Sequence, residues 1–330
     1  MTPPSARVPA LGESGLRDIE ASLATTGLFL DLGLARMRVR SELPSLAAQL
    51  KAVYRHFPLQ TQSDWADLHV DMLRGSGIRR WVRPQLRFLC DGPTPFDPFP
   101  AGAGLPLLEW GANWLIGRRF NDVLLLHAGV VERGGLALVM PAMPGSGKST
   151  LTAALSLSGW RLLSDEFGAL DLATGGLRPV LKPVGLKNQS IAVIRDFAAG
   201  VELGPEFPKT RKGTVAHLAP SRDAVSRVHE TAQPGAIMLP RWQAGAATRL
   251  EPMAPHLAFS ALAFNAFNYA VCGGAGFKAV VAMTQSCPTW QLVYSDLGDA
   301  LRTIDAEWPA IVERAQRRQA LDAETAGGVA

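Results

Sequence analysis

A short glycine-rich segment, Ala142-Met-Pro-Gly-Ser-Gly-Lys-Ser-Thr150, constrains the fold of this chain more than any other feature. It follows an apolar, strand-like segment at residues 136–140 and precedes a helix-like segment at residues 151–157. Glycines let backbone N–H groups approach phosphate oxygens, and the following helix adds partial positive charge at its N-terminus. The segment matches the Walker A phosphate-binding loop, G-x-x-x-x-G-K-[ST], with alanine at the first position.

The motif predicts which residues bind a nucleotide. Lys148 is expected to place its ammonium on the β- and γ-phosphates, and Ser149 is expected to offer its hydroxyl to Mg²⁺. We therefore expect a nucleoside triphosphate and Mg²⁺ as cofactors. The predicted nucleotide-binding residues are Pro144, Gly145, Ser146, Gly147, Lys148, Ser149 and Thr150.

Composition and charge are typical of a folded cytoplasmic protein. Hydrophobic residues make up 47% and charged residues 19% of the 330 residues, which provides for a sizeable core. The net charge of +4 is small for this length and argues against nucleic acid as the main partner. The three cysteines are few and widely spaced, which fits a reducing compartment without a disulfide framework.

No segment of the sequence reads as a signal peptide or a membrane span. The longest apolar stretch, residues 257–277, contains Asn265 and Asn268, whose amides a bilayer would leave unsatisfied. We predict instead a buried core helix that ends at Gly273 and Gly274, and no membrane partner.

Changes in composition along the chain predict its domain organisation. Residues 92–106 are rich in proline and glycine and read as a linker. The sequence predicts a small N-terminal α+β domain over residues 1–100, a nucleotide-binding domain over residues 101–316 and a flexible tail over residues 317–330.

Three features near the loop narrow the chemistry. A strand candidate at residues 123–131 contains His127 and leads through a predicted hairpin turn, residues 132–135, into the strand before the loop. A second strand, residues 160–164, ends in Asp165-Glu166, and paired carboxylates there suit Mg²⁺ binding and activation of a hydroxyl. A basic segment follows at residues 209–214.

In this order, these residues resemble the HPr kinase/phosphorylase family, and in particular its HPr-kinase-related subgroup A. The resemblance covers about residues 122–305 and implies an α/β P-loop domain of the HPr-kinase-like, or PEP-carboxykinase-like, type. Glu166 stands where HPr kinases have aspartate, and their glycine-rich signature downstream of the carboxylates is missing, which argues against HPr as acceptor and against phosphorylase activity. Further similar segments are residues 183–188, 212–218 and 294–297.

The resemblance implies a role for each matching residue. Lys148 would hold the triphosphate, expected to be ATP, while Ser149 and Glu166 would ligate Mg²⁺. Asp165 would accept the proton of the attacking hydroxyl, and His127 would lie near the transferred phosphoryl group. The roles of Asp165 and Glu166 are exchangeable, so both are candidate metal ligands. Because HPr kinases form hexamers, the resemblance also implies a homo-oligomer.

Other residues have a functional and a structural interpretation. Lys187, Lys212 and Arg241 are candidate substrate-binding residues, although each also suits an ordinary exposed surface. His127 follows three leucines and also suits a core histidine. Phe264, Phe267 and Trp290 are predicted core residues.

The expected activity is transfer of the γ-phosphoryl group of ATP to a hydroxyl, most simply a serine of a small protein or a ribosomally made peptide. Three alternatives remain at this stage. The protein could be an ATPase or nucleotide-dependent switch whose carboxylates activate water. It could be a kinase whose acceptor hydroxyl belongs to a small molecule. It could also be a non-catalytic scaffold that retains the loop only for folding.

Overall fold

The computed structural model describes residues 8–141 and 145–327, with side chains described as far as residue 317. It shows a mixed α/β protein, as the sequence predicts. In chain order the strands are β1 (Leu28–Asp31), β2 (Arg36–Ser41), β3 (Leu68–Arg74), β4 (Gln85–Cys90), β5 (Phe99–Pro100), β6 (Val123–Arg133), β7 (Leu136–Pro141), β8 (Arg161–Ser164), β9 (Phe167–Asp171), β10 (Leu177–Arg178), β11 (Val184–Lys187), β12 (Phe207–Thr210), β13 (Gly213–Leu218), β14 (Gln233–Trp242), β15 (Arg249–Pro252) and β16 (Thr289–Tyr294).

Helices connect these strands. The α-helices are α1 (Leu16–Ala24), α2 (Pro44–Val53), α3 (Gly104–Arg119), α4 (Lys148–Leu157), α5 (Gln189–Phe197), α6 (Arg222–Ser226), α7 (Pro255–Phe264), α8 (Tyr269–Ser286) and α9 (Leu297–Gly327). Short 3-10 helices cover Leu11–Glu13, Gly77–Arg80 and Ala101–Ala103. Within the described residues, no helix is both long and apolar enough to cross a membrane.

The chain divides into two compact units, each assembled from separate stretches. The first unit contains Met1–Phe120, Val180–Arg195 and Gly200–His229, and the second contains Asn121–Pro179, Asp196–Ala199 and Glu230–Ala330. The predicted ranges 1–100, 101–316 and 317–330 stay predictions, because compactness does not test which ranges fold independently. The last helix continues through residues 317–327 of the predicted tail.

The first unit contains two sheets. Strands β1 to β5 form a five-stranded sheet in sequence order, in which only the β2–β3 pair is parallel. Along β2 buried and partly exposed residues alternate, so Met37 and Val39 enter the core while the arginines point the other way. A second, three-stranded sheet has the order β11-β13-β12.

The second unit is built around an eight-stranded mixed sheet. Its order is β10-β9-β6-β7-β14-β16-β15, with β8 paired to β6, and β14 runs parallel to both β7 and β16. The predicted hairpin before the phosphate-binding loop is confirmed as the antiparallel pair β6–β7. Gly134 and Gly135 make its turn with φ of +65° and +81°, which suits a two-residue hairpin loop.

The prediction of one continuous buried helix that ends at Gly273 and Gly274 is wrong, although the backbone does leave the helical conformation at Gly273. The segment forms α7 and α8, separated at Asn265–Asn268, and Gly273 breaks α8 again with φ of +52°. The separation is stabilised by Asn268, whose Oδ1 accepts a hydrogen bond from Leu125 N (2.9 Å) and whose Nδ2 donates to Val123 O (2.9 Å). Much of the apolar surface of these helices is exposed: Phe264, predicted as core, is 90% exposed.

A buried polar cluster ties together distant segments of the first unit. Glu109 of α3 accepts hydrogen bonds from Tyr54 Oη (2.5 Å) and from Lys182 Nζ (3.1 Å). His217 of β13 is buried close by, and burial lowers the pKa of its imidazole to about 4, with Lys182 and Lys187 adding to the shift and Glu109 opposing it. In the described part of the chain, His217 Nδ1 has no hydrogen-bond partner.

The buried histidine predicts a pH-dependent stability. The unfolded chain protonates His217 near its ordinary pKa of 6.5, whereas the folded chain does so only near 4. Between these values the unfolded state binds more protons, so folding loses stability as the pH falls from 6.5 to 4, by about 3 kcal/mol from this residue. Urea unfolding across this range should show the loss, and His217→Gln should flatten it. The exposed His256, whose imidazole has no partner among the described residues, provides a control, since His256→Gln should keep the wild-type slope. Equal slopes for wild type and His217→Gln would contradict the assignment.

Candidate functional site

The predicted phosphate-binding loop lies between β7 and α4, in agreement with the predicted strand and helix. Gly145 and Gly147 adopt left-handed φ values of +88° and +90°, a conformation that glycine adopts without strain. Helix α4 begins at Lys148, so the N–H groups of Lys148, Ser149 and Thr150 lie in the first turn and have no partner within the helix. The predicted ligand Pro144 lies outside the described residues, as do Ala142 and Met143.

Helix α4 lies very close to strand β6. A Cβ at Gly129 would collide with Thr152 Oγ1 and would lie 3.4 Å from Lys148 Cγ, so only glycine permits this approach. Thr152 is fully buried and donates a hydrogen bond to Lys148 O (2.9 Å), which leaves its side chain little freedom to move. The aliphatic part of Lys148 consequently passes over Gly129.

Asp165 and Glu166 follow the end of β8, as the sequence predicts, and they form a two-residue break before β9. Both strands pair with the same edge of β6: Ser164 pairs with Val130, and Phe167 pairs with His127. Ser164 Oγ accepts hydrogen bonds from Phe167 N (2.9 Å) and Glu166 N (3.3 Å), which shapes the break. The carboxylates therefore lie beside the part of β6 that Lys148 crosses.

Lys148 and Asp165 meet in a buried contact. The Lys148 ammonium donates a hydrogen bond to the Asp165 carbonyl oxygen, and it lies 3.9 Å from Asp165 Oδ1. Both side chains are only 9% exposed. Among the described residues Asp165 Oδ1 has no hydrogen-bond donor, and neither does the buried Ser146 Oγ of the loop. Buried polar atoms without partners are uncommon, and a bound ion, a water molecule or a catalytic role is among the reasons for them.

Glu166 reaches the imidazole of His127. The distance between His127 Nε2 and Glu166 Oε1 is 3.7 Å, and both side chains are partly exposed. The backbone N–H of His127 donates to Asn265 O (2.7 Å), and its ring packs edge-on against Phe267 at 5.5 Å between centroids. The His127 side chain is 23% exposed and lies at the edge of the carboxylate site, and its role as a functional or a structural histidine stays a prediction.

Two aromatic residues at the loop were not predicted as site residues, although Tyr294 begins the segment 294–297 that resembles the HPr-kinase-related subgroup. Tyr294, at the end of β16, donates a hydrogen bond from its hydroxyl to Gly147 O (3.2 Å), and burial raises its pKa above the ordinary value. The backbone N–H of Trp242, at the end of β14, donates to Ser146 O (3.0 Å). The ends of the parallel strands β7, β14 and β16 therefore meet at the loop. These contacts depend on the order of the strands in the sheet, which the spacing of residues in the sequence does not reveal.

The donor set fits a small, hard cation. Among the described residues no three His, Cys, Asp or Glu side chains cluster as a metal site. Mg²⁺ needs no such cluster, because it is held by one or two carboxylates together with phosphate oxygens and water. Asp165 Oδ1, which has no donor in the described part, and the adjacent Glu166 provide that kind of ligand. The Ser149 hydroxyl, in the first turn of α4, is the further candidate.

The predicted substrate-binding residues fall in different places. Lys187, on β11, and Lys212, in the β12–β13 turn, belong to the first unit, whereas the phosphate-binding loop belongs to the second. Both lysines are exposed. Arg241 lies on β14, one residue before Trp242, and is also exposed. Of the three, Arg241 alone shares a unit with the phosphate-binding loop, and its role as a substrate ligand stays a prediction.

Comparison with protein-family models gives no match for this chain, and comparison with curated proteins gives no match either. The functional interpretation therefore depends on the chemistry of the residues around the loop.

The contact of Tyr294 with Gly147 predicts a position-specific effect of alanine in the loop. Among the described residues, nothing lies within 4 Å of a Cβ at Gly145, so Gly145→Ala should mainly strain the backbone, by about 1 kcal/mol. Gly147→Ala adds a collision of the new methyl group with Tyr294 Oη, and should destabilise by about 1–3 kcal/mol more. Combining it with Tyr294→Phe should recover part of the loss. Chemical unfolding of the wild type and these three variants checks this; equal stabilities of Gly145→Ala and Gly147→Ala would contradict the contact.

Proposed function

We propose that this chain is an ATP- and Mg²⁺-dependent phosphotransferase that phosphorylates a hydroxyl, preferentially a serine of a small protein or ribosomally made peptide. One observation carries the proposal. The phosphate-binding lysine, Lys148, reaches across Gly129 to a buried carboxylate, Asp165, whose Oδ1 has no hydrogen-bond donor among the described residues. The resemblance to HPr-kinase-related proteins supports the same chemistry.

The loop and helix α4 would bind the triphosphate. The left-handed glycines turn the backbone of the loop, and the first turn of α4 presents unpaired N–H groups together with the helix dipole. The Lys148 ammonium, held over Gly129, would neutralise charge on the β- and γ-phosphates. These groups would fix the phosphates in place, which is the main requirement of phosphoryl transfer.

Ser149, Asp165 and Glu166 would hold Mg²⁺, which when bound neutralises charge on the phosphates. Asp165 is the better candidate for orienting the acceptor hydroxyl and accepting its proton, because it is buried beside Lys148. Glu166 is more exposed and contacts His127, so the two residues would border the same reacting group. In this assignment Glu166 is mainly a metal ligand and His127 a nearby donor to phosphoryl oxygens.

Removal of the Lys148 charge should weaken nucleotide binding. Lys148→Met keeps an unbranched apolar side chain over Gly129 but removes charge-assisted hydrogen bonds, which contribute about 1.5–3 kcal/mol each. ATP should therefore bind on the order of 10- to 100-fold more weakly in calorimetry. Lys278→Met, at an exposed position of α8, is the control and should bind ATP as wild type does. Unchanged ATP affinity of Lys148→Met would refute the nucleotide site.

Transfer of labelled γ-phosphate from ATP tests the reaction itself. The purified protein is incubated with a lysate of the source cell, and phosphosites are located by mass spectrometry. Asp165→Asn should retain ATP binding and lose transfer by on the order of 100-fold, because the proton acceptor is removed. Glu166→Gln should lose transfer mainly at low Mg²⁺ and recover part of it at high Mg²⁺.

The products separate the proposed function from its alternatives. A labelled serine or threonine that depends on Lys148 supports the protein or peptide kinase. Steady release of free phosphate without any labelled polypeptide indicates an ATPase or nucleotide-dependent switch. A labelled small molecule places the acceptor hydroxyl on a metabolite. Wild-type transfer by Asp165→Asn would remove this residue from the reaction.

A further inference from the structure

The hairpin between β3 and β4 in the first unit carries a cluster of arginines that the proposed function does not use. Residues 72–90 contain five arginines and no lysine, aspartate or glutamate. Residues 76–84 are all exposed. The arginines are Arg74, Arg79, Arg80, Arg83 and Arg87, and no carboxylate of the described residues pairs with them.

Large apolar side chains alternate with these arginines at the hairpin tip. Ile78, Trp81 and Val82 are 72%, 75% and 55% exposed. Single exposed apolar residues are common on protein surfaces, but a contiguous apolar patch with charges around it is typical of an interaction site. Tryptophan and arginine are also the residues that contribute most to binding in protein interfaces. The Arg80 guanidinium already lies 5.7 Å from the centroid of the Trp81 ring.

The positive surface continues from the tip onto the sheet. Arg87 on β4 pairs with Leu73 of β3, and Arg40 on the neighbouring β2 pairs with Asp71. Asp71 lies three residues before Arg74 on β3, which is about 10 Å at about 3.3 Å per residue. The surface therefore extends by about this distance from Arg74 onto the sheet. Asp71 neutralises Arg40 (3.6 Å), whereas Arg87 is exposed and has no carboxylate partner in the described part.

We propose that this hairpin surface, residues 74–87 with the adjoining face of β4, binds an extended acidic polypeptide segment that carries bulky apolar residues. Carboxylates complement the arginines, which bind them through two parallel hydrogen bonds, and arginine without lysine favours this planar recognition over a general positive field. Apolar side chains of the partner pack on Ile78, Trp81 and Val82. A bilayer in contact with the tip would not reach Arg87 on β4, whereas a polypeptide that lies along the hairpin contacts both the tip and Arg87. The proposal is independent of the phosphotransferase activity.

Fluorescence anisotropy with a defined peptide tests the surface. The probe is a fluorescein-labelled Glu-Glu-Leu repeat of about 10 residues, about 33 Å long when extended. It should bind the full chain saturably, and the matching Gln-Gln-Leu peptide should bind far more weakly. Replacement of Arg79, Arg80 and Arg83 by glutamine should weaken binding about tenfold. The control replaces three exposed arginines elsewhere, Arg17, Arg302 and Arg317, and should change binding less than twofold, although it removes the same charge.

A second variant tests the apolar part at unchanged charge. Trp81→Ser should also weaken binding of the Glu-Glu-Leu peptide, while its thermal unfolding stays that of wild type because Trp81 is exposed. Equal affinities of the two triple variants for the peptide would overturn the proposal. A lack of saturable peptide binding up to about 1 mM, which corresponds to a binding free energy of only about 4 kcal/mol, would overturn it as well. Tip-dependent binding of phosphatidylserine vesicles or of a single-stranded oligonucleotide, without peptide binding, also overturns it and assigns the surface to a membrane or to nucleic acid.

Discussion

Strand β6 determines the arrangement of the candidate site. One edge of the strand pairs with β9 and then with β8, and the other edge pairs with β7. Between β8 and β9, Asp165 and Glu166 form a break in the pairing with β6. Gly129 of β6 lies opposite this break, and its lack of a side chain lets α4 approach β6 closely. A Cβ at Gly129 would displace Thr152 of α4. The close approach of α4 to β6, which places Lys148, therefore requires a residue without a side chain at position 129.

Buried ion pairs elsewhere in the protein show why Asp165 is unusual. In the second unit Glu132 pairs with Arg161 and also accepts a hydrogen bond from Gly135 N (2.6 Å). In the first unit Glu109 accepts from both Lys182 and Tyr54. Each of these carboxylates has donors on both oxygens, which offsets the cost of burial and suits a structural role.

Asp165 differs because its charge is compensated only in part. Lys148 lies 3.9 Å from Asp165 Oδ1, beyond hydrogen-bond distance, and donates to the Asp165 carbonyl oxygen instead. Burial of a polar oxygen without a hydrogen-bond donor costs free energy, and such atoms are found where a bound ion or a catalytic role accounts for them. The proposed function supplies such a role, because a cation and an acceptor hydroxyl would both bind at this oxygen.

The elements around the loop were predictable because each has a local pattern of its own. Glycines with a following lysine and serine predict the turn and the start of α4, and apolar runs predict β7 and β8. Residues 257–277 were not predictable in the same way. Their apolar composition suggests one buried helix, yet Asn268 forms hydrogen bonds with Val123 and Leu125, and Phe264 remains exposed. A pairing between residues more than 140 positions apart has no signal in a local pattern.

The sequence by itself determined the glycine-rich turn that leads into α4, the mixed α/β class and the carboxylates at the end of a strand, because these depend on neighbouring residues. Only the tertiary structure decided that Glu166 faces His127, that Lys148 crosses Gly129 to reach Asp165, and that Tyr294 holds the Gly147 carbonyl. These contacts depend on which strands lie side by side. Strand order is set by packing of the whole sheet, and the free energy of that packing is spread over residues far apart in the chain.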